Sequence, residues 1–317
     1  MFQLFQIRGF GEFISDTFQF LKNYGKNYFK NYLKHAFVAL LLLMVSMALI
    51  GTFYYRVLIT TVGFTGTETY DNAFVTENVV LLIVGMIAIV IISLYLALLN
   101  YSYPVYYLRL VGENPNKMPE LQSIKTLVKN DFGRLLLFGL LSVIVFSIIG
   151  IVAFSIAAIL SFVIIGIFIF ILLMPTFITW YSLTLYYYLN KNQSFFDALK
   201  YAFYTITNNF WNIIGANLCM LIIVYVLSMA VTMIPYMIMM ITMVLGMEGI
   251  ESSQSMNSSN ISIFLVVMVI VYCFSILVSM LLNHLLLIQT GLVYYSEREK
   301  LEQNTMRQSI DEIGKHE

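Results

Sequence analysis

The chain has 317 residues, of which 60% are hydrophobic and only 11% charged, and its formal net charge at pH 7 is zero. An ordinary soluble domain carries about 25% charged residues, so the composition excludes a water-soluble globular protein of this size. The apolar residues also fall in long runs without charges, and runs of about 18 or more are typical of transmembrane helices. The sequence therefore predicts an all-α membrane protein with several spans.

Six apolar runs give the predicted spans. Residues 135–189 form one uncharged stretch that is too long for a single helix, so we divide it into two spans with a turn near Ser161. The predicted spans cover approximately residues 36–55, 79–103, 135–158, 162–189, 212–234 and 261–291. Residues 1–35 are predicted to form a cytoplasmic interfacial helix, and residues 292–317 a cytoplasmic tail.

The basic residues are distributed very unevenly over the segments outside these spans. Of the 17 lysines and arginines, all except Arg56 lie in the N-terminal segment, in the loops after the second and fourth spans, or in the C-terminal tail. Lysine and arginine are enriched in the cytoplasmic loops of membrane proteins. The sequence therefore predicts six spans in the cell (inner) membrane, with both termini in the cytoplasm.

Two short motifs recur in the same order along the chain. An Asn-x-Phe triplet precedes each outgoing span, and a tyrosine pair ends each returning span. The triplets begin at Asn27, Asn130 and Asn208, and the tyrosine pairs begin at Tyr106, Tyr187 and Tyr294. Because all six motifs fall on the predicted cytoplasmic side, we interpret the chain as three repeats. The predicted architecture is three helical hairpins, each preceded by a cytoplasmic interfacial amphipathic helix.

The segments before the triplets have the pattern of helices that lie in a membrane surface, with one apolar face and one basic or amide-rich face. In the second segment, Pro119 suits the first helical turn. In the third, Ser194 and Asp197 resemble a capping box with aspartate in place of the usual glutamate. The predicted apolar face of this third helix includes Phe196 and Phe203.

Residues 22–37 read KNYGKNYFKNYLKHAF, which repeats lysine, asparagine and tyrosine every four residues. Four residues turn a helix by about 400°, so each residue type forms one slanted stripe. The lysine stripe contains Lys22, Lys26, Lys30 and Lys34, and the tyrosine stripe contains Tyr24, Tyr28 and Tyr32. Tyrosine favours the headgroup level and lysine reaches lipid phosphates, so both stripes are predicted to contact anionic lipid headgroups at the cytoplasmic face. We interpret them as a topology anchor rather than a specific lipid site, and we expect no nucleic-acid partner because the basic residues are thinly spread.

Ionisable or amide side chains inside a span are candidates for a functional site. Four of them stand out in the predicted spans: Asn100, Asn217, Asn283 and His284. Asparagine can hydrogen-bond between helices, and a proton relay through His284 would need further carboxylates or histidines at depth, which the sequence does not supply. We therefore interpret all four as structural. The sequence also has no metal-ligand spacing, phosphate-binding loop or nucleophile with a base, so we expect no enzyme activity, catalytic residue, metal or cofactor.

A methionine stripe at helical spacing begins within the fifth predicted span and continues beyond it. It contains Met229, Met233, Met237, Met240, Met243 and Met247. Thioethers can bind Cu(I), but methionine is also an adaptable apolar side chain, and we favour contact with lipid or a partner. Pro235 is expected to end or kink the fifth span.

The stretch PTFITWYSLTLYYYLNKNQSFFDALKYAFYTITNNFWNIIGANL, residues 175–218, resembles the repeat of the glycerophosphoryl diester phosphodiesterase membrane-domain family. The elements that carry the resemblance are Ser194, Asp197, Ala198, Phe210 and Trp211. The resemblance covers the second half of the chain well and the first half loosely. It implies membrane architecture without chemistry, since hydrolysis in that family belongs to a separate soluble barrel domain for which this chain has no room.

Three classes of function are compatible with this sequence. A non-catalytic accessory or scaffold subunit, which contacts lipids and a protein partner or a second copy of the chain, fits the scarcity of charges inside the spans. A permease or lipid carrier is the alternative, and the repeats and the prolines within spans support it. An enzyme would need a cluster of acid, base or metal-binding residues, which the sequence lacks. We therefore predict the first class.

Overall fold

The computed structural model describes residues 2–62, 72–115, 117–162, 165–191, 193–248 and 258–302. These residues form eight α-helices joined by short connections, and no strand occurs among them. The helices are α1 (Phe10–Val62), α2 (Asn72–Glu113), α3 (Leu121–Asn130), α4 (Phe132–Ser161), α5 (Ile165–Asn190), α6 (Phe195–Asn208), α7 (Phe210–Glu248) and α8 (Ser258–Glu302).

Six of the helices in the described residues are long and apolar enough to cross a membrane. The candidate spans are Phe10–Gly51, Val79–Glu113, Phe132–Ser161, Gly166–Asn190, Phe210–Met237 and Ile270–Glu302. The other two helices, α3 and α6, have 10 and 14 residues, which is shorter than the roughly 20 residues that a span needs. The prediction of an all-helical protein with six helices able to span a membrane is therefore confirmed.

The first predicted interfacial helix is not a separate element. α1 runs without a break from the lysine and tyrosine stripes into the first candidate span, so the prediction of a separate helix over residues 1–35 is wrong. The physical reason is that α1 contains no proline that would remove a backbone hydrogen bond and end the helix. Helical structure begins at Phe10, and residues 2–9 form an irregular segment before it.

The last helix is longer than predicted. α8 continues to Glu302, so the prediction that a tail begins at residue 292 is wrong. The side chains of residues 292–296 are buried, and an ion pair between Arg298 and Glu302, one turn apart, adds to the stability of the last turns. Residues 303–317 of the predicted tail lie outside the described residues.

The fifth predicted span does not end at its proline. α7 passes through Pro235 and continues to Glu248, so of the two predicted alternatives, an end or a kink at this proline, the end does not occur. Proline is tolerated inside transmembrane helices because neighbouring groups satisfy the freed backbone carbonyl. The methionine stripe is exposed wherever its side chains are described, at Met229, Met233, Met237 and Met240. The side chains of Met243 and Met247 lie outside the described residues.

The second and third Asn-x-Phe triplets are helix junctions. α3 ends at Asn130 and α4 begins at Phe132, and Asp131 between them has φ −93° and ψ 8°. In the same way, α6 ends at Asn208 and α7 begins at Phe210. The first triplet lies inside α1. The motif therefore marks a break between a short and a long helix at two of its three positions.

The two short helices start differently. At the start of α6, the Ser194 hydroxyl oxygen accepts a hydrogen bond from the Asp197 backbone N–H at 3.2 Å and donates one to the Asp197 carboxylate at 2.6 Å, so the predicted cap is confirmed. α3 begins at Leu121, so Pro119 precedes this helix instead of lying in its first turn.

α6 packs in unit 1 with one face and leaves large rings of the predicted apolar face exposed. Phe195, Ala198 and Ala202 are buried, whereas Phe196 and Phe203 are exposed. The sequence assigned the face with Phe196 and Phe203 to the membrane surface, and α6 also has a second face of small apolar side chains. Small alanines allow close approach of a neighbouring helix, and it is the alanine face that packs, while the larger rings face outward.

The described residues divide into two compact units. Unit 1 is drawn from Met1–His35, Leu98–Tyr225 and Leu282–Glu317, and unit 2 from Ala36–Ala97 and Val226–Leu281. In unit 1, α4 packs along α5, and α5 packs along α6. A small apolar core there contains the buried side chains of Met220, Leu285 and Leu286.

In unit 2, many apolar side chains face outward along the helices. Val80, Ile91 and Met233 are each more than half exposed. A soluble monomer rarely exposes so much contiguous apolar surface, whereas helices that are surrounded by lipid do so as a rule. The surface of unit 2 is therefore that of a membrane-embedded bundle.

Candidate functional site

A cluster of aromatic and polar side chains fills the interior of unit 1. We call it the tyrosine–histidine cluster, and it consists of Tyr28, Tyr32, Asn100, Tyr103, Tyr107 and His284. Residues four apart lie on the same face of a helix, so Tyr28 and Tyr32 on α1 face the equally spaced Tyr103 and Tyr107 on α2. α8 contributes His284. All six side chains are buried.

Hydrogen bonds join the three helices inside this cluster. The Tyr28 hydroxyl and His284 Nδ1 are 2.6 Å apart, and this contact joins α1 to α8. The Tyr32 hydroxyl donates to Asn100 Oδ1 at 3.0 Å, and the Tyr103 hydroxyl donates to the Tyr28 backbone carbonyl at 2.8 Å. Each of these hydroxyl groups therefore has a partner although it is shielded from water, as buried polar groups require.

A second layer of hydrogen bonds lies next to the cluster. The Tyr107 hydroxyl donates to Asn27 Oδ1 at 2.9 Å. The Asn31 side-chain amide donates to the same Asn27 oxygen at 3.1 Å and to the Pro119 carbonyl at 3.0 Å. The asparagines of the KNY repeat thus connect α1 to α2 and to the segment that precedes α3.

The rings of the cluster pack mainly edge to face. The ring centroids of Tyr32 and His284 are 4.3 Å apart, and those of Tyr28 and Tyr107 are 4.8 Å apart. This T-shaped geometry is favourable because the positive edge of one ring meets the negative face of the next. The cluster is therefore a densely packed interior with satisfied hydroxyl groups.

The prediction that the tyrosine stripe contacts lipid headgroups is wrong. Tyr28 and Tyr32 lie in the tyrosine–histidine cluster, and Tyr24 is buried against Phe20, with the two ring centroids 5.1 Å apart. A tyrosine ring can bury its large apolar body in protein as readily as in lipid once its hydroxyl finds a partner. The sequence pattern does not distinguish between these two surroundings.

The lysine stripe has the opposite surroundings. Its four side chains, at Lys22, Lys26, Lys30 and Lys34, are exposed. They are offset from the tyrosines by two residues, which is a rotation of about 200° around the helix. α1 therefore presents its tyrosines to unit 1 and its lysines to the surroundings.

The other predicted polar residues of the spans lie in separate surroundings. Asn283 is half-buried and hydrogen-bonds the Tyr101 hydroxyl. Asn217 is buried, and neither atom of its amide has a hydrogen-bond partner among the described residues. The same holds for Gln289, which was not among the predicted polar residues of the spans. The structure thus brings Asn100 and His284 together with the tyrosines, but not Asn217.

The chemistry that the cluster offers is limited. His284 Nε2 is buried and has no hydrogen-bond partner among the described residues, so the imidazole contacts one phenol and is otherwise surrounded by rings. No group of three or more histidine, cysteine, aspartate or glutamate side chains that could hold a metal ion occurs in the part of the chain that the structure describes.

Sequence reasoning missed Arg8, whose side chain makes four hydrogen bonds to other described residues. Its guanidinium is buried and donates to Asp16 Oδ2 at 2.8 Å. It also donates to the backbone carbonyls of Gln3, Leu4 and Gln6 at 2.6, 2.9 and 3.1 Å. In the sequence, Arg8 is only one of the basic residues on the predicted cytoplasmic side, since no helical spacing relates an irregular segment to its acid partner.

The segment that Arg8 organises packs on the ends of two helices. The Arg8 backbone N–H donates to the Ser296 hydroxyl on α8 at 3.0 Å. The Phe5 ring lies edge-on to Tyr295, with centroids 5.1 Å apart, and the Leu4 side chain lies against Gly112 of α2. Residues 2–9 therefore contact both the end of α2 and the end of α8.

The last turns of α8 also carry a group of charge-assisted contacts. Glu297 accepts hydrogen bonds from Lys300 at 2.6 Å and from the Asn209 amide at 3.2 Å. Lys191 at the end of α5 forms an ion pair with Glu302 at 3.0 Å. These contacts connect the α6–α7 junction and the end of α5 to α8.

No protein-family model, curated protein or solved structure matches this chain.

Removal of the Tyr28 hydroxyl (Tyr28→Phe) is expected to lower the free energy of unfolding by about 1–3 kcal/mol, because His284 Nδ1 is then left buried without its partner. Thermal or denaturant unfolding in detergent micelles measures the loss. Tyr204→Phe, which removes an exposed hydroxyl from α6, serves as the control and should change little.

A double-mutant cycle makes this test specific to the pair. When Tyr28→Phe is combined with His284→Phe, both polar partners are removed together, so the combined loss should be clearly smaller than the sum of the two single losses. Strict additivity would contradict a direct interaction between the phenol and the imidazole.

Proposed function

We propose that this chain is a non-catalytic scaffold or accessory subunit of the cell (inner) membrane, with both termini in the cytoplasm. The observation that carries the proposal is the tyrosine–histidine cluster. The cluster uses His284 and Asn100, two of the four polar side chains that stand out in the spans, to join helices. Side chains that are buried and bonded to one another stabilise a bundle and leave few groups for chemistry.

We propose three helical hairpins as the architecture, as in the glycerophosphoryl diester phosphodiesterase membrane-domain family and without its hydrolase domain. In support, a residue of each triplet makes a hydrogen bond with a residue at the end of a returning helix. The three bonds join Asn27 to Tyr107, Asp131 to Tyr106, and Asn209 to Glu297. The bonds of Asn27 and Asn209 lie within one repeat, whereas Asp131 bonds the returning helix of the preceding repeat, so what the three share is a contact between a triplet and the end of a returning helix.

A permease or lipid carrier is the competing function. Such a protein needs a polar cavity near the middle of the membrane, usually where helices are broken. In unit 1 the hydroxyl groups of Tyr28, Tyr32 and Tyr103 bond to protein atoms. This arrangement favours a scaffold over a carrier.

The experiment is a paired assay on protein purified gently from its native membrane. Quantitative mass spectrometry should find a protein partner, or a second copy of the chain, in stoichiometric amount. Reconstituted into vesicles that contain a fluorescent phospholipid, the same protein should not accelerate movement of that lipid between leaflets beyond the rate in protein-free vesicles. Acceleration without any stoichiometric partner would overturn the proposal in favour of a lipid carrier.

The lysine stripe gives a second test of how the protein meets the membrane. Replacing its four lysines by glutamine should weaken binding of phosphatidylglycerol in detergent by at least about tenfold, since each lysine near an anionic surface contributes on the order of 1 kcal/mol. Native mass spectrometry of lipid titrations measures this change. The matched control replaces four other exposed lysines by glutamine, namely Lys117, Lys125, Lys129 and Lys200. An equal loss in both variants would show that total charge matters and the stripe does not.

A further inference from the structure

Two carboxamide side chains are buried in unit 1 without a hydrogen-bond partner. They are Asn217 on α7 and Gln289 on α8, with exposed fractions of 1% and 0%. Neither the oxygen nor the nitrogen of either amide has a partner among the described residues. Native proteins pair most buried polar side-chain atoms with protein or with ordered water, and a buried atom left unpaired costs free energy. The bonding of these two amides is therefore not completed by protein atoms.

Two contacts fix how α7 and α8 lie against each other. Directly before α7, the Asn209 amide donates to Glu297 of α8 at 3.2 Å. Further along, Met220 of α7 packs in one apolar core with Leu286 of α8. From the first contact to the second, the chain rises from 209 to 220 on one helix and falls from 297 to 286 on the other. The two helices are therefore antiparallel, and both advance by the same number of residues between the two contacts.

This register places the two buried amides at the same level. Asn217 precedes Met220 by three residues, and Gln289 follows Leu286 by three residues. Residues three or four apart share one face of a helix, so Asn217 lies on the face of α7 that carries Met220. In the same way, Gln289 lies on the face of α8 that carries Leu285 and Leu286. The two amides therefore face each other across the contact between α7 and α8.

The surroundings of this contact are apolar. Partly buried apolar side chains pack against the core that contains Met220, namely Ile14, Leu21, Leu221, Val224 and Leu282. None of these side chains can donate or accept a hydrogen bond. Asn217 and Gln289 also both lie in candidate spans, and lipid chains around a span offer no hydrogen bonds either. A partner for the two amides must therefore be a polar molecule that binds between the helices.

We propose that one internal water molecule binds between Asn217 and Gln289 and joins α7 to α8. The two amides present two acceptor oxygens and two N–H donor groups. A water molecule both donates and accepts two hydrogen bonds, so a single water can bond to both oxygens and both nitrogens. A cation would bind only the oxygens, and an anion only the N–H groups. Buried waters in proteins typically make about three hydrogen bonds to groups that otherwise lack partners.

The direct test is a crystal structure of the purified full-length protein at a resolution that shows ordered water. A density peak should lie between the two side chains, within about 3.2 Å of an amide atom of Asn217 and of an amide atom of Gln289. A direct hydrogen bond between the two amides, with no peak between them, would overturn the inference. Density without any peak at this place would overturn it as well.

Unfolding in detergent micelles tests the link between the two amides in solution. Asn217→Leu removes one amide and leaves the Gln289 amide buried with fewer partners, so the equilibrium constant for folding should fall about tenfold or more. Gln289→Met should have a similar effect. The two changes together should cost clearly less than the two single effects combined, because both polar groups leave at once. Asn212→Leu, at an exposed position of α7, is the control and should change the constant by about twofold at most.

The same variants connect the water to the amides. Crystals of Gln289→Met should lack the peak, whereas crystals of Asn212→Leu should retain it. Strictly additive effects of Asn217→Leu and Gln289→Met, or an equal loss in Asn217→Leu and Asn212→Leu, would contradict a shared water. The water site goes beyond the scaffold proposal and does not depend on it. A missing peak in a protein that still co-purifies with a stoichiometric partner would overturn the water site alone.

Discussion

Replacement of Gly291 by alanine (Gly291→Ala) is expected to destabilise the protein by about 1–3 kcal/mol, the usual cost of overpacking a close-packed interior. A Cβ at this position of α8 would overlap Cδ1 of Leu108 and the hydroxyl of Tyr186, and it would lie 2.8 Å from Tyr186 Cζ. Leu108 and Tyr186 are both fully buried, so neither side chain has free space to move into. The Tyr186 hydroxyl also donates to the Leu287 carbonyl at 3.2 Å, and any shift of the ring weakens that bond.

Gly133→Ala is the matched control. Gly133 also lies in a helix, but a Cβ there would meet nothing within 4 Å. Alanine is a better helix former than glycine by roughly 0.5–1 kcal/mol, so this change should be neutral or stabilising. Unfolding in detergent micelles, followed by intrinsic fluorescence, measures both variants. If the two changes had the same effect, Gly291 would not be a point of close helix contact.

The spans could be predicted from the sequence because they depend on composition alone. A run of apolar residues long enough to cross a bilayer forms a helix wherever it lies, since its backbone groups have no other partners. The helix ends were predicted less well. Residues 292–302 look like a tail in the sequence, yet residues 292–296 are buried in unit 1 and ion pairs of Arg298 with Glu302 and of Lys300 with Glu297 stabilise the turns of α8 that follow them.

Four of the six residues of the tyrosine–histidine cluster were singled out from the sequence, but their arrangement in one cluster was not predicted. Tyr28, Tyr32, Asn100 and His284 were all singled out, and they meet in one cluster. A tyrosine that belongs to a lipid interface and one that belongs to a protein interior have the same sequence pattern, because both need an apolar surface and one polar partner. Only the position of α2 and α8 against α1 distinguishes them.

The burial of Arg8 and its hydrogen-bond partners could not be predicted from the sequence. Its partners are backbone carbonyls of an irregular segment and a carboxylate on the second turn of α1. Backbone acceptors leave no mark in a sequence, since every residue type provides one. A basic residue before a span is read as a topology charge by default, and burial of that residue can be learned only from the structure.

Arg8→Ala is expected to have the largest effect of any single change, lowering the free energy of unfolding by about 3 kcal/mol or more. The reason is that a buried donor is removed from several acceptors at once. Burial lowers the pKa of the Arg8 guanidinium, and its hydrogen bond with Asp16 opposes that shift. Arginine nevertheless stays charged in proteins, so the cost of burying this charge is offset by the ring of acceptors around it. Without Arg8, these acceptors lose their donors and residues 2–9 lose the group around which they fold.

The control is Arg109→Ala. Arg109 pairs with Glu113 at 3.0 Å, but their side chains are 38% and 50% exposed, and an exposed pair of this kind contributes about 0–1 kcal/mol. Arg8→Lys separates charge from geometry: a single ammonium keeps the charge but cannot reach a carboxylate and three carbonyls, so its loss should fall between those of the other two variants.

Denaturant unfolding in micelles gives the three free energies, and hydrogen exchange reports on the N-terminal segment directly. We expect faster exchange in Arg8→Ala at the start of α1 and in the last turns of α8, because the Arg8 backbone N–H is bonded to Ser296. Arg109→Ala should leave exchange at both places unchanged. If Arg8→Ala and Arg109→Ala were equally stable and exchange near Ser296 were unchanged, the N-terminal segment would contact unit 1 without stabilising it. Faster exchange at both ends would mean that one buried arginine holds α1 and α8 together.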